Sequence, residues 1–180
     1  MTETLKGKKI LIVDDEADVL EALCELLDMC EIDCARNFET AEKLLNENYY
    51  DAAILDIMGV KGYDLLEIAK VKDLPALMLT AHAFGPDHLV KSIIKGAFSY
   101  IPKVEMVDIA TYLDDAIQAK LKDDRKSQTW FRKLKPTFDK KFGPDWLIQY
   151  KKDFEKILKN IDLTHLREEE LDKIFYQNEP

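Results

Sequence analysis

The sequence lacks any apolar run long enough to cross a bilayer. Its longest uninterrupted apolar stretches, such as residues 10–13 and 52–55, are far shorter than the roughly 20 residues that a spanning helix needs. Residues 1–6 also lack the basic segment followed by an apolar stretch that marks a secretion signal. We therefore expect a cytoplasmic protein.

Glycine and proline are scarce, with six of each among 180 residues, which excludes collagen-like and low-complexity chains. Cysteine is rarer still, and Cys24, Cys30 and Cys34 cannot all pair within one chain. The histidines lie far from them in sequence, which disfavours a zinc site. We expect three reduced thiols in or near a core, because free cysteine is usually a small buried apolar residue.

What is present is typical of a globular protein, with 47% apolar and 34% charged residues. Residues 1–120 carry 12 basic and 23 acidic side chains, whereas residues 121–159 carry 12 basic and 6 acidic ones. This shift indicates a domain boundary near residue 120. The acidic first part argues against nucleic acid as its direct ligand, because phosphates would be repelled.

The first 120 residues alternate between two periodicities. Short apolar segments predict buried strands at residues 9–14, 31–35, 52–56, 75–80 and 98–102. Between them, helical spacing predicts helices over about 17–29 and around 41–45, 65–69, 89–94 and 109–117. Strict alternation of this kind predicts a doubly wound α/β fold with a five-stranded parallel sheet.

Polar side chains stand where the predicted strands end. Asp14 and Asp15 close the first strand, Asp56 the third and Thr80 the fourth, and Lys103 follows the fifth. The carboxyl ends of parallel strands meet at one edge of the sheet, so these groups should converge there. Three carboxylates repel one another unless a cation lies among them, and oxygen ligands in an open site suit Mg²⁺. Together with an amine and a hydroxyl, the set indicates phosphoryl transfer to a carboxylate of the protein itself.

Four segments carry a family resemblance: ILIVDDE at residues 10–16, AILDIM at 53–58, LTA at 79–81 and GAFSYIPK at 96–103. In their order and spacing, residues 5–120 resemble the receiver domain of two-component response regulators. The resemblance implies a flavodoxin-like sheet with strand order 2-1-3-4-5 over residues 5–122, followed by a helical extension over residues 123–180.

The resemblance also implies a metal site. Asp56 would be the phospho-acceptor, and Asp15, Asp56 and the backbone carbonyl of Met58 would bind Mg²⁺. Asp14 would act through a metal-bound water.

Three further residues receive roles from the same resemblance. Lys103 would contact the phosphoryl group. Thr80 and Tyr100 would be the switch pair, the hydroxyl moving toward the phosphate and the ring turning inward behind it. Tyr100 also fits a second interpretation, a half-buried aromatic with its hydroxyl in water.

Two departures from the family pattern stand out. The loop after Asp56 is two residues short, and we expect Gly59 and Gly62 to supply positive φ angles for a tighter turn. The family usually has Lys-Pro with a cis peptide, whereas this chain has Lys103-Val104. A cis bond before a residue other than proline costs roughly 2.5–4 kcal/mol, so the bond is either trans, with a rebuilt loop, or strained.

His82, two residues past Thr80, has two interpretations. It either influences how water reaches the aspartyl phosphate, or is an exposed loop residue without a role.

The segment beyond residue 120 predicts helices separated by Pro136 and by Gly143-Pro144. Its aromatic and basic face admits four interpretations: packing against the receiver or a second subunit, docking of a partner protein, a membrane-surface helix, or nucleic-acid binding. No nucleic-acid-binding motif or membrane span is evident.

The leading functional hypothesis is a response regulator that is phosphorylated by a histidine kinase or histidine phosphotransferase and signals by contact with an unknown protein. Homodimerisation is a further possibility. The resemblance implies no enzyme activity beyond assisting its own Mg²⁺-dependent phosphorylation and dephosphorylation. The alternatives are a relay intermediate, a transcription regulator, and a haloacid-dehalogenase-type hydrolase, which would need an acidic residue where Met58 stands.

Overall fold

A computed structural model describes residues 3–81, 85–122, 136–137 and 139–143. Strands and helices alternate along residues 9–121 as predicted. In chain order they are β1 (Lys9–Val13), α1 (Ala17–Leu26), β2 (Glu31–Ala35), α2 (Phe38–Glu47), β3 (Ala52–Asp56), α3 (Gly62–Val71), β4 (Ala76–Thr80), α4 (Pro86–Ile94), β5 (Ser99–Pro102), a 3-10 helix (Lys103–Asp108) and α5 (Ile109–Leu121).

The five strands form one parallel sheet in the order β2-β1-β3-β4-β5, which confirms the predicted fold. The registers bring the carboxyl ends together: Val13 pairs with Leu55, Asp56 with Leu79, and Thr80 with Pro102. The polar residues that follow these strands therefore meet at one edge of the sheet.

Every residue of β3 and β4 is buried, because helices cover both faces of a parallel sheet. The apolar runs that predict these strands are the centre of the core, which includes Ile54, Leu55 and Leu77. Such close packing fixes the sheet edge that carries Asp56 and Thr80.

Local signals set the ends of the first two helices. Helix α1 ends at Leu26, earlier than predicted, because the chain turns there and the Cys30 N–H donates to the Leu27 carbonyl at 2.9 Å. At the start of α2, the side chain of Asn37 accepts the Thr40 N–H at 2.9 Å, which is the usual N-cap arrangement.

The chain divides into two compact units, Met1–Trp130 and Phe131–Pro180. In the second unit, residues 136–137 and 139–142 are helical. Gly143, with a φ of 85°, donates its N–H to the Asp139 carbonyl at 2.9 Å, so the described helical turn ends at this glycine. The helix predicted beyond Pro144 lies outside the described residues. The other interpretations of residues 123–180 concern positions outside the described residues. Within the described part of the chain, no helix has the length and apolar character that a membrane span requires.

Candidate functional site

A solvent-open cleft of about 350 Å³ lies at the carboxyl ends of the strands. The residues around it come from the loops that follow β1, β3, β4 and β5. They are Asp15, Glu16, Asp56, Met58, Gly59, Ala81 and Lys103.

Asp56, the last residue of β3, is only 4% exposed. Its Oδ2 accepts the backbone N–H groups of Met58 at 2.9 Å and Gly59 at 3.0 Å. Its Oδ1 lies 3.1 Å from the Lys103 ammonium. The loop amides therefore hold the carboxylate in one orientation at the cleft wall.

Asp14 is fully buried behind Asp56. Its Oδ1 accepts the Glu16 N–H at 3.0 Å, and its Oδ2 lies 2.8 Å from Lys103. Burial, reinforced by the charge of Asp56, raises the pKa of Asp14 despite the opposing effects of Lys103 and the Glu16 N–H. Keeping Asp14 ionised therefore lowers the stability of the folded state.

Lys103 contributes a positive charge to the cleft, and its side chain is only 11% exposed. Besides Asp14 and Asp56, it contacts Glu16 at 2.6 Å. Burial lowers the pKa of Lys103, but its hydrogen bonds to Asp14 and Glu16 and the nearby negative charges outweigh burial and raise it. The role of Glu16 was not predicted, although its place directly after the aspartate pair is a signal that could have indicated it.

The peptide bond after Lys103 is trans, as are all peptide bonds among the described residues. Of the two expected outcomes for Lys103-Val104, the rebuilt loop is therefore the one observed. The chain enters the 3-10 helix Lys103–Asp108 directly from β5, and the lysine still reaches the cleft.

The short loop after Asp56 differs from its prediction. Neither Gly59 nor Gly62 has a positive φ; instead Lys61 does, at 55°. Gly62 is needed for space, because a Cβ on it would lie 2.0 Å from the backbone oxygen of Asp56. The expectation that the two glycines supply positive φ was wrong, since the tight turn combines the left-handed Lys61 with the space left by the absent side chain of Gly62.

The carboxylate of Asp15 lies directly against this loop. A Cβ on Gly59 would come within 2.1 Å of Asp15 Oδ1, although Asp15 as a whole is exposed. Its backbone carbonyl accepts a hydrogen bond from Arg36 Nη2 at 3.0 Å. The third carboxylate thus stands at the solvent side of the cleft, beside the loop that carries the Met58 carbonyl.

Thr80 and Tyr100 lie on the neighbouring strands β4 and β5. Thr80 is 1% exposed and Tyr100 fully buried, so the ring is turned inward. The Tyr100 hydroxyl accepts the Gly85 N–H at 3.2 Å. Burial chiefly raises the pKa of Tyr100, and its hydrogen bonds to Gly85 and the Thr80 side chain oppose this. The interpretation of Tyr100 as a half-buried aromatic is therefore wrong for this conformation. His82, for which two interpretations were open, lies outside the described residues.

The donor set fits Mg²⁺ by its chemistry. Carboxylates and a backbone carbonyl are the hard oxygen ligands that Mg²⁺ prefers, and an open cleft leaves room for the waters it retains. Among the described residues, no three acidic, histidine or cysteine side chains form a preassembled cluster. The three carboxylates do not form one cluster because the Lys103 ammonium contacts both Asp14 and Asp56, whereas the Asp15 carboxylate lies against the loop at Gly59.

Replacing Asp14 with Asn is expected to raise the free energy of unfolding at pH 7 in metal-free buffer. The raised pKa means that the folded state holds the Asp14 proton more tightly, so stability is lost as pH rises from the ordinary carboxyl pKa through the raised one. Urea unfolding of both proteins at pH 7 and pH 4 should show the advantage shrinking at the lower pH. Asp15→Asn, at an exposed carboxylate, is the control, and an Asp14→Asn protein less stable than the wild type at pH 7 would contradict this account.

The chain is similar to known proteins over the residues that form the sheet. Residues 10–113 match the family described as the response regulator receiver domain. Over 103 residues, 54% of this chain, the sequence is 37% identical to two-component response regulator ARR18 of Arabidopsis thaliana, and it covers 16% of that protein. It is 35% identical over 105 residues to the phosphate regulon transcriptional regulatory protein PhoB of Pseudomonas aeruginosa, covering 54% of this chain and 45% of the relative. The chain thus spans less than half the length of these relatives.

Solved structures give the same fold. A CheY-like response regulator receiver domain protein from Methanospirillum hungatei JF-1 has a TM-score of 0.60 at 25% identity, covering 66% of this chain and 99% of the other. A response regulator described as putative, from Chloroflexus aurantiacus J-10-fl, has a TM-score of 0.56 at 31% identity, covering 63% and 99%.

Proposed function

We propose that this chain, which belongs to the response regulator receiver domain family, accepts a phosphoryl group on Asp56 from a histidine kinase or a histidine phosphotransferase. The observation that carries the proposal is the setting of Asp56. Its carboxylate is fixed by two loop amides and faces a solvent-open cleft, with the Lys103 ammonium 3.1 Å away.

In the transfer, an oxygen of Asp56 attacks phosphorus, and the bond from phosphorus to the donor's nitrogen or oxygen breaks. The loop amides and Lys103 orient the nucleophile before the donor arrives, so little rearrangement is needed. When bound, Mg²⁺ would neutralise charge on the phosphoryl oxygens, and Asp15, Asp56 and the Met58 carbonyl would hold it. Asp14 would act through a metal-bound water.

Lys103 has to change partners during this reaction. Before it, the ammonium is shared among Asp14, Glu16 and Asp56. A phosphoryl group on Asp56 offers it more negative charge at the same place, and a charge-assisted hydrogen bond to phosphate is strong. Glu16, with its side chain 57% exposed, is the partner released at least cost.

Thr80 and Tyr100 provide the route outward from Asp56. Thr80 ends the strand next to β3, and Tyr100 links the Thr80 side chain to the Gly85 N–H just before α4. Phosphorylation would favour the conformer in which Thr80 bonds the phosphoryl group, and this shift in population would be read at α4 by a downstream partner.

The test is the intact mass of the full chain after incubation with Mg²⁺ and a small acyl phosphate. The wild type should gain a single phosphoryl adduct, and Asp56→Asn none. Asp28→Asn, at an exposed carboxylate outside the cleft, should gain the adduct as the wild type does. An equal adduct on Asp56→Asn, or none on the wild type, would refute the assignment.

A further inference from the structure

Cys24 in α1 and Cys34 in β2 bring their sulfur atoms within 3.6 Å of each other. Cys34 is exposed and Cys24 half-buried. The third thiol has a different partner, since Cys30 Sγ donates to the Leu5 carbonyl at 3.4 Å. We infer that Cys24 and Cys34 are a thiol modification site, which low-molecular-weight disulfides oxidise reversibly to an intramolecular disulfide.

The geometry favours this pair over either pairing with Cys30. A disulfide bond is about 2.05 Å long, so the two sulfur atoms must approach by only about 1.5 Å. Strand β2 is an edge strand of the sheet that the described residues form, and Cys34 on it is exposed. A small reagent can therefore reach Cys34.

The reaction proceeds in two balanced exchanges. One thiolate first attacks a sulfur of the reagent, forming a mixed disulfide and releasing one small thiol. The second cysteine then displaces the remaining small thiol and closes the Cys24–Cys34 bond. Two electrons pass from the protein sulfurs to the reagent, and the two protons end on the released thiols.

The pH dependence of the rate has a definite sign. Although Cys34 is exposed as a residue, its thiol is partly desolvated. This desolvation, together with the neighbouring Cys24 thiol and Asp33, raises the pKa of Cys34. Cys34 is therefore mostly protonated at neutral pH, and exchange should accelerate as pH rises because only the thiolate attacks. The raised pKa also keeps the exposed thiol from reacting indiscriminately.

The disulfide would tie α1 to β2, the strand that pairs with β1. Cys34 precedes Ala35, whose carbonyl accepts the Asp14 N–H at 3.1 Å. A cross-link at Cys34 would thus hold the end of β2 and the backbone of Asp14 as one unit. It closes a short loop, which restricts the unfolded chain and stabilises the fold.

The experiment treats the full chain with a glutathione redox buffer, followed by quenching, alkylation, intact mass and peptide mapping. The wild type and Cys30→Ser should each lose two alkylation sites and yield a linked Cys24–Cys34 peptide. The melting temperature should rise by roughly 10 °C and return to its starting value with reductant. In Cys24→Ser, a glutathione adduct should persist on Cys34, because no second thiol removes it.

Three results would overturn the inference. The first is full alkylation of all three cysteines after oxidation. The second is a glutathione adduct that persists on Cys34 in the wild type, and the third is a linked peptide that contains Cys30. None of these readouts involves phosphate, so their outcome is independent of the chemistry at Asp56.

Discussion

Replacing Lys103 with Met is expected to lower the free energy of unfolding by about 3–5 kcal/mol at pH 7, the usual cost of removing one partner from a buried ion pair. The ammonium contacts Asp14 and Asp56, whose side chains are only 1% and 6% exposed. Without it, two buried carboxylates face each other with no compensating charge. The loss should be partly reversed as pH falls from 7 to 4, because proton uptake by Asp14, whose pKa burial already raises, removes one of the two charges.

Urea unfolding of the wild type and Lys103→Met at pH 7 and pH 4, without metal, measures both effects. Lys120→Met is the matched control. The Lys120 ammonium donates to the Asp73 backbone carbonyl at 2.6 Å and lies 4.0 Å from the Asp73 carboxylate. Both contacts are exposed, and such surface contacts contribute under about 1 kcal/mol. Equal losses for the two variants, or a Lys103→Met deficit that grows as pH falls, would contradict the role given to Lys103.

Replacing Gly62 with Ala is expected to destabilise the protein by about 3 kcal/mol or more, at the upper end of overpacking costs. The new Cβ would lie 2.0 Å from the backbone oxygen of Asp56 and 2.9 Å from its carbonyl carbon. Backbone atoms of a central strand cannot yield as a side chain can. The strand end must shift, so the variant should also lose most of its phosphorylation.

Gly59→Ala is the matched comparison, because the three atoms nearest to its new Cβ all belong to the carboxylate of Asp15. That side chain can swing toward solvent, so the free energy of unfolding should change by less than about 1 kcal/mol. Magnesium affinity should nevertheless fall by about tenfold or more, as it does when supporting contacts of a metal ligand are lost.

Urea unfolding separates the two glycine variants, and the Mg²⁺ concentration that half-maximally supports phosphorylation reports the metal effect. If Gly59→Ala is as unstable as Gly62→Ala, the loop rather than Asp15 yields to the added methyl group. If its magnesium requirement matches that of the wild type, Asp15 is not a ligand.

Much of the fold was predictable, because strands buried in a parallel sheet have nearly continuous runs of apolar residues in the sequence. Strand β3 begins and ends at the predicted residues, and the sheet order follows the family resemblance. Convergence of Asp14, Asp56 and Lys103 followed from topology alone, since parallel strands present their carboxyl ends at one edge. The roles of these residues in phosphoryl transfer remain predictions.

Two kinds of feature were not predictable from the sequence. One is the backbone conformation of a shortened loop, and the other is contact between side chains on different elements. The left-handed conformation of Lys61 arises because the shortened loop must turn within a fixed span, and lysine is not a residue that signals it. The contact between Cys24 and Cys34 depends on how α1 packs beside β2, which spacing along the chain does not encode. Glu16 was missed because it is the N-cap residue of α1 rather than a strand-end residue, so the convergence of strand ends does not predict its contact with Lys103.

Under the proposed switch, the hydrogen bond between the Tyr100 hydroxyl and the Gly85 N–H would make signalling reciprocal. If phosphorylation at Asp56 alters how a partner binds at α4, that partner must alter the free energy of phosphorylation by the same amount, because the two events share one thermodynamic cycle. A partner that favours the inward ring would therefore make the phosphorylated form easier to populate. In that sense, occupancy at α4 would be an input to the domain as well as its output.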